Sequence, residues 1–303
     1  MHIVMKTDSV NYGHKISHRR TESFLVHGHL QYELYYYLSG NVSVLVKGRE
    51  YQVEPNMLLV FPPNVFHGIR VNDETAYERF TLEFSPTCIQ PERREMLLQA
   101  LPAADARGDA VCMRMVVEDP ALHALLLQMD KLCDCDRKVQ DQMIPVILEA
   151  ILGTVALSVN HQEDEGQESA RRKSDVSNIL TYVNEHFTEQ ITLDSLAELF
   201  FVSKDHLNRS FRKVTGTTVR DYLISKRVTY VQQLLINGIP ASQASILAGF
   251  GDYTSFYRAY VKRTGHAPSR DRVPKSPAVP TDKVLQEQMT AMPDNYSILV
   301  ELD

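Results

Sequence analysis

The sequence predicts two domains: an N-terminal all-β barrel followed by a helical pair, and a C-terminal all-α domain with two helix-turn-helix modules. Three observations carry this. Between Thr21 and Phe84, short apolar runs alternate with Gly, Pro and Asn turn residues. From Asp119 the apolar spacing lengthens to that of helices. After Val176, two similar patterns of a short apolar helix, a tight turn and a half-basic helix follow one another. A length of 303 residues suits about two domains of roughly 100–200 residues each.

In chain order, Val42–Val46, the turn around Lys47-Gly48 and Tyr51–Val53 read as a hairpin. Met57–Phe61 reads as a buried strand closed by Pro62-Pro63, and Tyr77–Phe84 as another. Leu122, Leu125, Leu126, Met129 and Leu132, then Ile144, Ile147, Leu148, Ile151, Leu152 and Val155, mark two amphipathic helices. These helices either brace the barrel or pair across a dimer and relay its signal. The second role is the expectation here, with Leu125, Met129, Ile144, Leu148, Ile151 and Val155 as the dimer stripe. His161–Ser174 is polar, acidic and then basic, as a linker would be. Pro274, Pro277 and Pro280 stop any helix, and Tyr296–Val300 has strand character. The expected division is 1–115 for the sensing barrel, 116–160 for the helical pair and 161–174 for the linker. The helix-turn-helix domain takes 175–273, and 274–303 is a Pro-rich tail.

Charge follows this division. The net charge is −6, yet residues 171–273 carry 15 Lys and Arg against 9 Asp and Glu, so the basic excess sits on the helical domain. No run of about 18 apolar residues exists, so no membrane span is expected. Met1–Lys15 has no signal-peptide core. Cys88, Cys112, Cys133 and Cys135 are too few and too scattered for a disulfide framework. A cytoplasmic protein is the expectation. Cys133-x-Cys135 has no second pair to complete a metal site and reads as free thiols.

The half-basic helices carry the chemistry. In the first module Asp205, Asn208, Arg209 and Arg212 share one face, Leu207 and Phe211 the other, and Ser203 stands as N-cap. On a recognition helix in the major groove, Arg209 matches guanine, Asn208 adenine, and Asp205 the amino group of cytosine. Lys204 and Lys213 suit phosphates, which position without specifying. In the second module Tyr253, Thr254, Tyr257 and Arg258 form the corresponding face, with Lys262 and Arg263 for phosphates. Leu223, Val228, Val231, Leu234 and Leu235 lie on one helix between the modules. It would set them about one DNA turn, roughly 34 Å, apart.

The marks from Val176 to Arg272 resemble the AraC/XylS family of transcription regulators. They are the helix Ser203–Arg212, Gly216, Tyr222-Leu223, Arg227, Leu234-Leu235, Gly249-Phe250, Phe256, Arg258, Gly265 and Pro268. Three positions depart from the family pattern: Phe201 for a turn glycine, Ala244-Ser245 for Ile-Ala, and Asp271-Arg272 for a closing Tyr-Arg. The resemblance implies a homodimeric, effector-controlled regulator of promoter DNA. As an activator it would meet RNA polymerase. A sugar is the commonest effector for this domain order.

In the N-terminal half, His27-x-His29-x-x-x-Glu33, Gly40 and Pro63-x-x-x-His67 resemble the cupin signature, so the barrel is cupin-like. In metal-binding cupins three histidines and a glutamate hold a divalent ion. Here His27, His29, Glu33 and His67 would hold Zn, Mn, Fe or Ni, the first three from one face of a strand. Two other readings stand beside this one: contact with a small polar effector, aided by Tyr32, Tyr35, Tyr36, Tyr37, Phe61 and Phe66, and a purely structural role. Two rivals remain for the whole chain. One is an effector-free regulator with a degenerate barrel; the other is a metal-dependent cupin enzyme fused to a DNA-binding module.

Overall fold

The computed structural model describes residues 2–7, 10–102, 113–116, 120–159 and 175–272. The linker, the Pro-rich tail with Tyr296–Val300, and Cys112 lie outside the described residues. The strands are β1 (His2–Lys6), β2 (Val10–Ser17), β3 (Tyr32–Ser39), β4 (Val42–Val46), β5 (Arg49–Gln52), β6 (Met57–Phe61), β7 (His67–Val71), β8 (Tyr77–Phe84) and β9 (Met113–Val116). They form a six-stranded sheet, β1-β2-β8-β3-β6-β9, and a three-stranded sheet, β5-β4-β7, so the barrel is two facing sheets and not a closed cylinder. The hairpin from β4 to β5 turns on Lys47 and Gly48, both at positive φ (48° and 79°), as a two-residue hairpin requires.

Period two along the large sheet divides its side chains between two cores. Tyr35, Tyr37, Leu59 and Phe61 face the small sheet and meet Val42, Val44, Val71 and Tyr77. Leu34, Tyr36, Leu58, Val60, Phe80 and Leu82 face the opposite way, onto helices α2 (Pro120–Leu132) and α3 (Arg137–Val159). This corrects the expected dimer stripe. Leu148, Ile151 and Val155 are 0% exposed and Met129 likewise, all inside the chain's own core with Phe80 and Leu82. The second face of the large sheet is mostly apolar and needs a cover, which α2 and α3 supply. α3 is also long and apolar enough, by length and composition alone, to cross a membrane; its buried stripe lies on the sheet.

Three elements had no sequence signal. β1 is too short to show a period, and β2 is rich in polar residues; they gain strand form as β2 pairs with β8 and β1 with β2. Helix α1 (Pro91–Gln99) buries only Leu97, so its sequence has no apolar period.

The C-terminal domain comprises α4 (Asp175–His186), α5 (Leu193–Leu199), α6 (Lys204–Thr215), α7 (Val219–Ile236), α8 (Ala241–Leu247) and α9 (Tyr253–Thr264). Thr192, Ser203, Thr218 and Asp252 accept from amides of their own first turns, and Gly216 and Gly265 end α6 and α9 at φ 78°. These are the start and stop signals that the sequence carries. The pairs α5–α6 and α8–α9 repeat one turn. Val202 N–H donates to Ala197 C=O in the first, and Phe250 N–H to Ser245 C=O in the second. The left-handed residue of that turn is Gly249 at φ 79° in the second module and Phe201 at φ 54° in the first. Phe201 is 96% exposed, so no contact offsets its strain. Phe201→Gly is expected to stabilise the chain by about 1 kcal/mol, measured as an upward shift of the urea midpoint. A lower midpoint would mean that the aromatic ring contributes packing.

The other two departures are accommodated. Ala244 and Ser245 are buried, with Ser245 Oγ donating to Ser242 C=O at 2.7 Å. Asp271 accepts from the Tyr260 hydroxyl and from Gln232 Nε2, tying α9 to α7.

Candidate nucleic-acid interface and histidine–glutamate cluster

Helix α6 presents Lys204, Asp205, His206, Arg209, Arg212 and Lys213 to solvent, while Leu207 and Phe211 are 0% exposed. The exposed residues at positions 205, 209 and 212 are one to two turns apart, on the face expected of a reading helix. Two details differ from the sequence expectation. Asn208 turns its Oδ1 inward to accept the Val219 amide at 3.3 Å, which commits its acceptor to the α6–α7 junction. His206 joins the exposed face near the helix start, and its Nε2 meets Ser210 Oγ at 3.4 Å. A lone histidine among charged residues carries no sequence signal for either role. Lys204 pairs with Asp194 of α5, an exposed contact that a phosphate can replace at little cost.

In the second module, Tyr253, Thr254, Tyr257, Arg258, Lys262 and Arg263 lie outside, over buried Phe256 and Tyr260. Arg263 is partly engaged: it donates to Asp221 C=O at 2.8 Å and lies 3.8 Å from that carboxylate. Between the modules α7 buries Leu223, Val228, Val231, Leu234 and Leu235. Arg227 donates from α7 to the carbonyls of Phe187 and Glu189, which fastens the link after α4.

The four N-terminal candidates converge. One ligand atom from each of His27, His29, Glu33 and His67 lies within 4.8 Å of the others. They do not share one strand, as period two implied. Glu33 is on β3, His67 opens β7 of the other sheet, His27 pairs with His67 as an isolated bridge, and His29 sits in the loop between. The cluster therefore spans the two sheets, and the His67 ring stacks on Phe61 at 3.8 Å. Each imidazole directs Nδ1 at a backbone carbonyl: His27 at Leu25 (3.1 Å), His29 at Gln31 (2.9 Å) and His67 at Val65 (3.0 Å). A neutral imidazole has one N–H. Spending it on Nδ1 leaves Nε2 as a lone pair, and the Nε2 atoms of His29 and His67 meet Glu33 Oε2 at 3.1 and 2.9 Å. Acceptors this close need a shared cation, either a proton that makes an imidazolium or a metal ion. Backbone carbonyls that orient the ring from behind are the usual support of metal-ligating histidine.

The charges answer to this geometry. Burial works against the Glu33 carboxylate, but hydrogen bonds from His29 and His67 and their charges outweigh it and hold its pKa far below 4.5. Burial likewise opposes a charge on His29, and Glu33 outweighs it, raising His29 above 6.5. His27, at the exposed mouth, is held below 6.5 by desolvation and then by His67. Beside Glu33 on the same face of β3, the hydroxyls of Tyr35 and Tyr37 are buried with no hydrogen-bond partner among the described residues.

Residues 15–172 match the family described as AraC-like ligand binding domain, and residues 196–273 match the helix-turn-helix domain. The chain is 24% identical over 238 residues to the uncharacterized HTH-type transcriptional regulator YbfI of Bacillus subtilis, covering 76% of this chain and 80% of that protein. It is 34% identical over 95 residues to the bifunctional transcriptional activator/DNA repair enzyme AdaA of Bacillus subtilis. That match covers 31% of this chain and 45% of AdaA, so the chain spans about half the length of that relative. Among solved structures, ToxT from Vibrio cholerae is 14% identical, with 86% of this chain and 97% of ToxT covered at a TM-score of 0.35.

Proposed function

Because this chain belongs to the AraC family of DNA-binding transcription regulators, with a ligand-binding domain ahead of a helix-turn-helix domain, we propose that it binds promoter DNA as a homodimer under the control of a small molecule. The observation that carries the DNA half is the exposed, half-basic face of α6 over a fully buried apolar face. Arg209, with Asp205 and His206, reads base edges; Lys204, Arg212 and Lys213 hold phosphates. On α9, Tyr253, Thr254, Tyr257 and Arg258 read, and Lys262 and Arg263 position. Asn208 braces the α6–α7 junction. Arg209→Ala is expected to cost about 1–3 kcal/mol and to relax base choice at one position, whereas Lys213→Ala weakens all sequences alike. Titrations on a duplex from the upstream region and on a scrambled duplex check this. Equal losses for Arg209→Ala on both would overturn the assignment.

The sensing half rests on the histidine–glutamate cluster and on the two buried tyrosine hydroxyls beside it. His27, His29, Glu33 and His67 suit a divalent ion such as Zn, Mn, Fe or Ni by donor chemistry. A polar effector such as a sugar would use the same layer through Tyr35 and Tyr37. The ion supplies a fixed charge and open coordination positions for such a ligand. Residues 1–115 form the sensing unit, 116–160 its helical cover, and 161–174 the linker to the reading domain 175–273. The dimer face is the exposed stripe of α3: Val139, Met143, Val146, Ala150 and Leu157. A chromosomal target sets the protein in the cytoplasm, and an activating role brings RNA polymerase as partner.

Zinc added to the purified chain is expected to bind one ion per chain, and His67→Ala to lose it, by elemental analysis. Without metal, the His29–Glu33 pair stabilises most between about pH 4.5 and 6.5. The Glu33 contribution is lost as pH falls towards its lowered pKa, and the His29 contribution as pH rises through its raised pKa. Zinc needs a neutral His29, so its affinity is expected to rise with pH over the same interval. Wild-type protein that stays metal-free with Zn, Mn and Ni would return the four residues to effector contact or structure.

A further inference from the structure

The segment that carries His27 and His29 also finishes the first recognition helix. The last carbonyls of any α-helix lack partners within it. In α6 two of them are met from the other domain: Phe24 N–H donates to Val214 C=O at 2.8 Å, and Val26 N–H to Thr215 C=O at 3.0 Å. One residue further on, His27 and His67 exchange both backbone hydrogen bonds, at 2.9 and 3.0 Å. Leu25, between these contacts, is left-handed at φ 48°, so the segment bends, with one end on the reading helix and the other on the ligand cluster. Phe24 is 1% exposed and belongs to the same apolar core as Leu207, Phe211 and Tyr222.

The fit is close on both sides. A Cβ on Gly68, next to His67, would stand 2.3 Å from the Phe24 carbonyl oxygen, and one on Gly28 would stand 2.5 Å from the Phe66 ring. Phe66 itself packs edge-on against Tyr222 at 5.2 Å, and Tyr222 against Phe211 of α6 at 5.5 Å. Both segments that supply histidines, 24–29 and 65–67, therefore bear directly on the first reading module. Helices α2 and α3, by contrast, have their apolar stripes committed to the far face of the large sheet.

We propose that residues 24–29 are a strap through which a divalent ion in the His27–His29–Glu33–His67 cluster is coupled to DNA binding by α6. This rests on the cation reading of the cluster given above. An ion drawing His27 and His29 towards Glu33 fixes one end of the strap. The geometry of its other end, where Phe24 and Val26 cap α6 next to Arg212 and Lys213, is fixed with it. Coupling of this kind is reciprocal, so DNA must change the affinity for the ion by the factor that the ion changes the affinity for DNA.

The test is hydrogen exchange on the full chain, with zinc and without, alongside elemental analysis. Zinc is expected to slow exchange at the amides of Phe24 and Val26 at least tenfold and to leave the amides of α9 unchanged. Zinc affinity is expected to shift at least fivefold when a duplex from the upstream region is added. One zinc bound per chain with unchanged Phe24 and Val26 amides would overturn the strap while the cation reading stands. No bound zinc would overturn both. Phe24→Ala, if it folds, should keep the zinc and lose the fivefold linkage to DNA; full linkage in that variant would also overturn the strap.

Discussion

Leu148→Glu is expected to leave no folded N-terminal domain. Leu148 is 0% exposed and lies between the large sheet and α2, among Phe80, Leu82 and Leu126. A carboxylate there is buried without a partner, and the leucine packing is lost as well. Together these cost about 5 kcal/mol or more, comparable to a domain's entire stability of roughly 5–15 kcal/mol. Insoluble protein, or loss of the cooperative urea transition, is the result that checks this. Val146→Glu is the contrasting change. Val146 is 58% exposed on the other side of α3, in line with Val139, Met143, Ala150 and Leu157. The same carboxylate there should change stability by less than about 0.5 kcal/mol and turn the proposed dimer into a monomer in sedimentation. A soluble, folded Leu148→Glu chain would contradict the packing described. A dimeric Val146→Glu chain would move the dimer face elsewhere.

The second large effect is expected at His14. Its ring is buried and stacked on Phe80 at 3.9 Å. Nδ1 meets Asp130 of α2 at 2.7 Å and Nε2 meets Glu78 of β8 at 2.9 Å. Asp130 also accepts from the Tyr12 hydroxyl at 2.7 Å. One imidazole thus ties the sheet to its helical cover through two carboxylates. His14→Leu keeps the volume but leaves a mostly buried aspartate with only its tyrosine, at an expected cost of about 3 kcal/mol. The partly exposed Glu78 adds little. Adding Asp130→Leu should recover much of this loss, because it removes the stranded charge. Urea unfolding of the two single variants and the double variant decides the matter. Strictly additive losses would show that the pair contributes packing and no electrostatic coupling.

Much of the architecture was legible in the residues because it depends on local chemistry. The N-caps Thr192, Ser203 and Thr218, and the left-handed Gly216 and Gly265, bound helices whose apolar spacing is already in the chain. The turn at Lys47-Gly48 and the alternation along β3, β6 and β8 are local in the same sense. The four candidate donors were legible as residue types. What the sequence determined by itself was therefore the two domains, the two reading helices and the membership of the cluster.

The tertiary structure decided the rest, wherever a residue's role depends on what covers it. Periodicity shows that α3 has an apolar stripe but not which surface takes it, so the expectation of a dimer face for Leu148 rests on the family resemblance and gives way to the core that the sheet's second face provides. Asn208 has the composition of a base reader, yet the amide of Val219, eleven residues away, takes its acceptor. His27, His29 and Glu33 reach one point through the loop at 28–31 and not by strand alternation. β2 exists because β8 offers it an edge, and β1 because β2 does in turn. The strap could not be read at all: Phe24 and Val214 are nearly two hundred positions apart, and a backbone hydrogen bond between distant segments requires no particular side chain at either end.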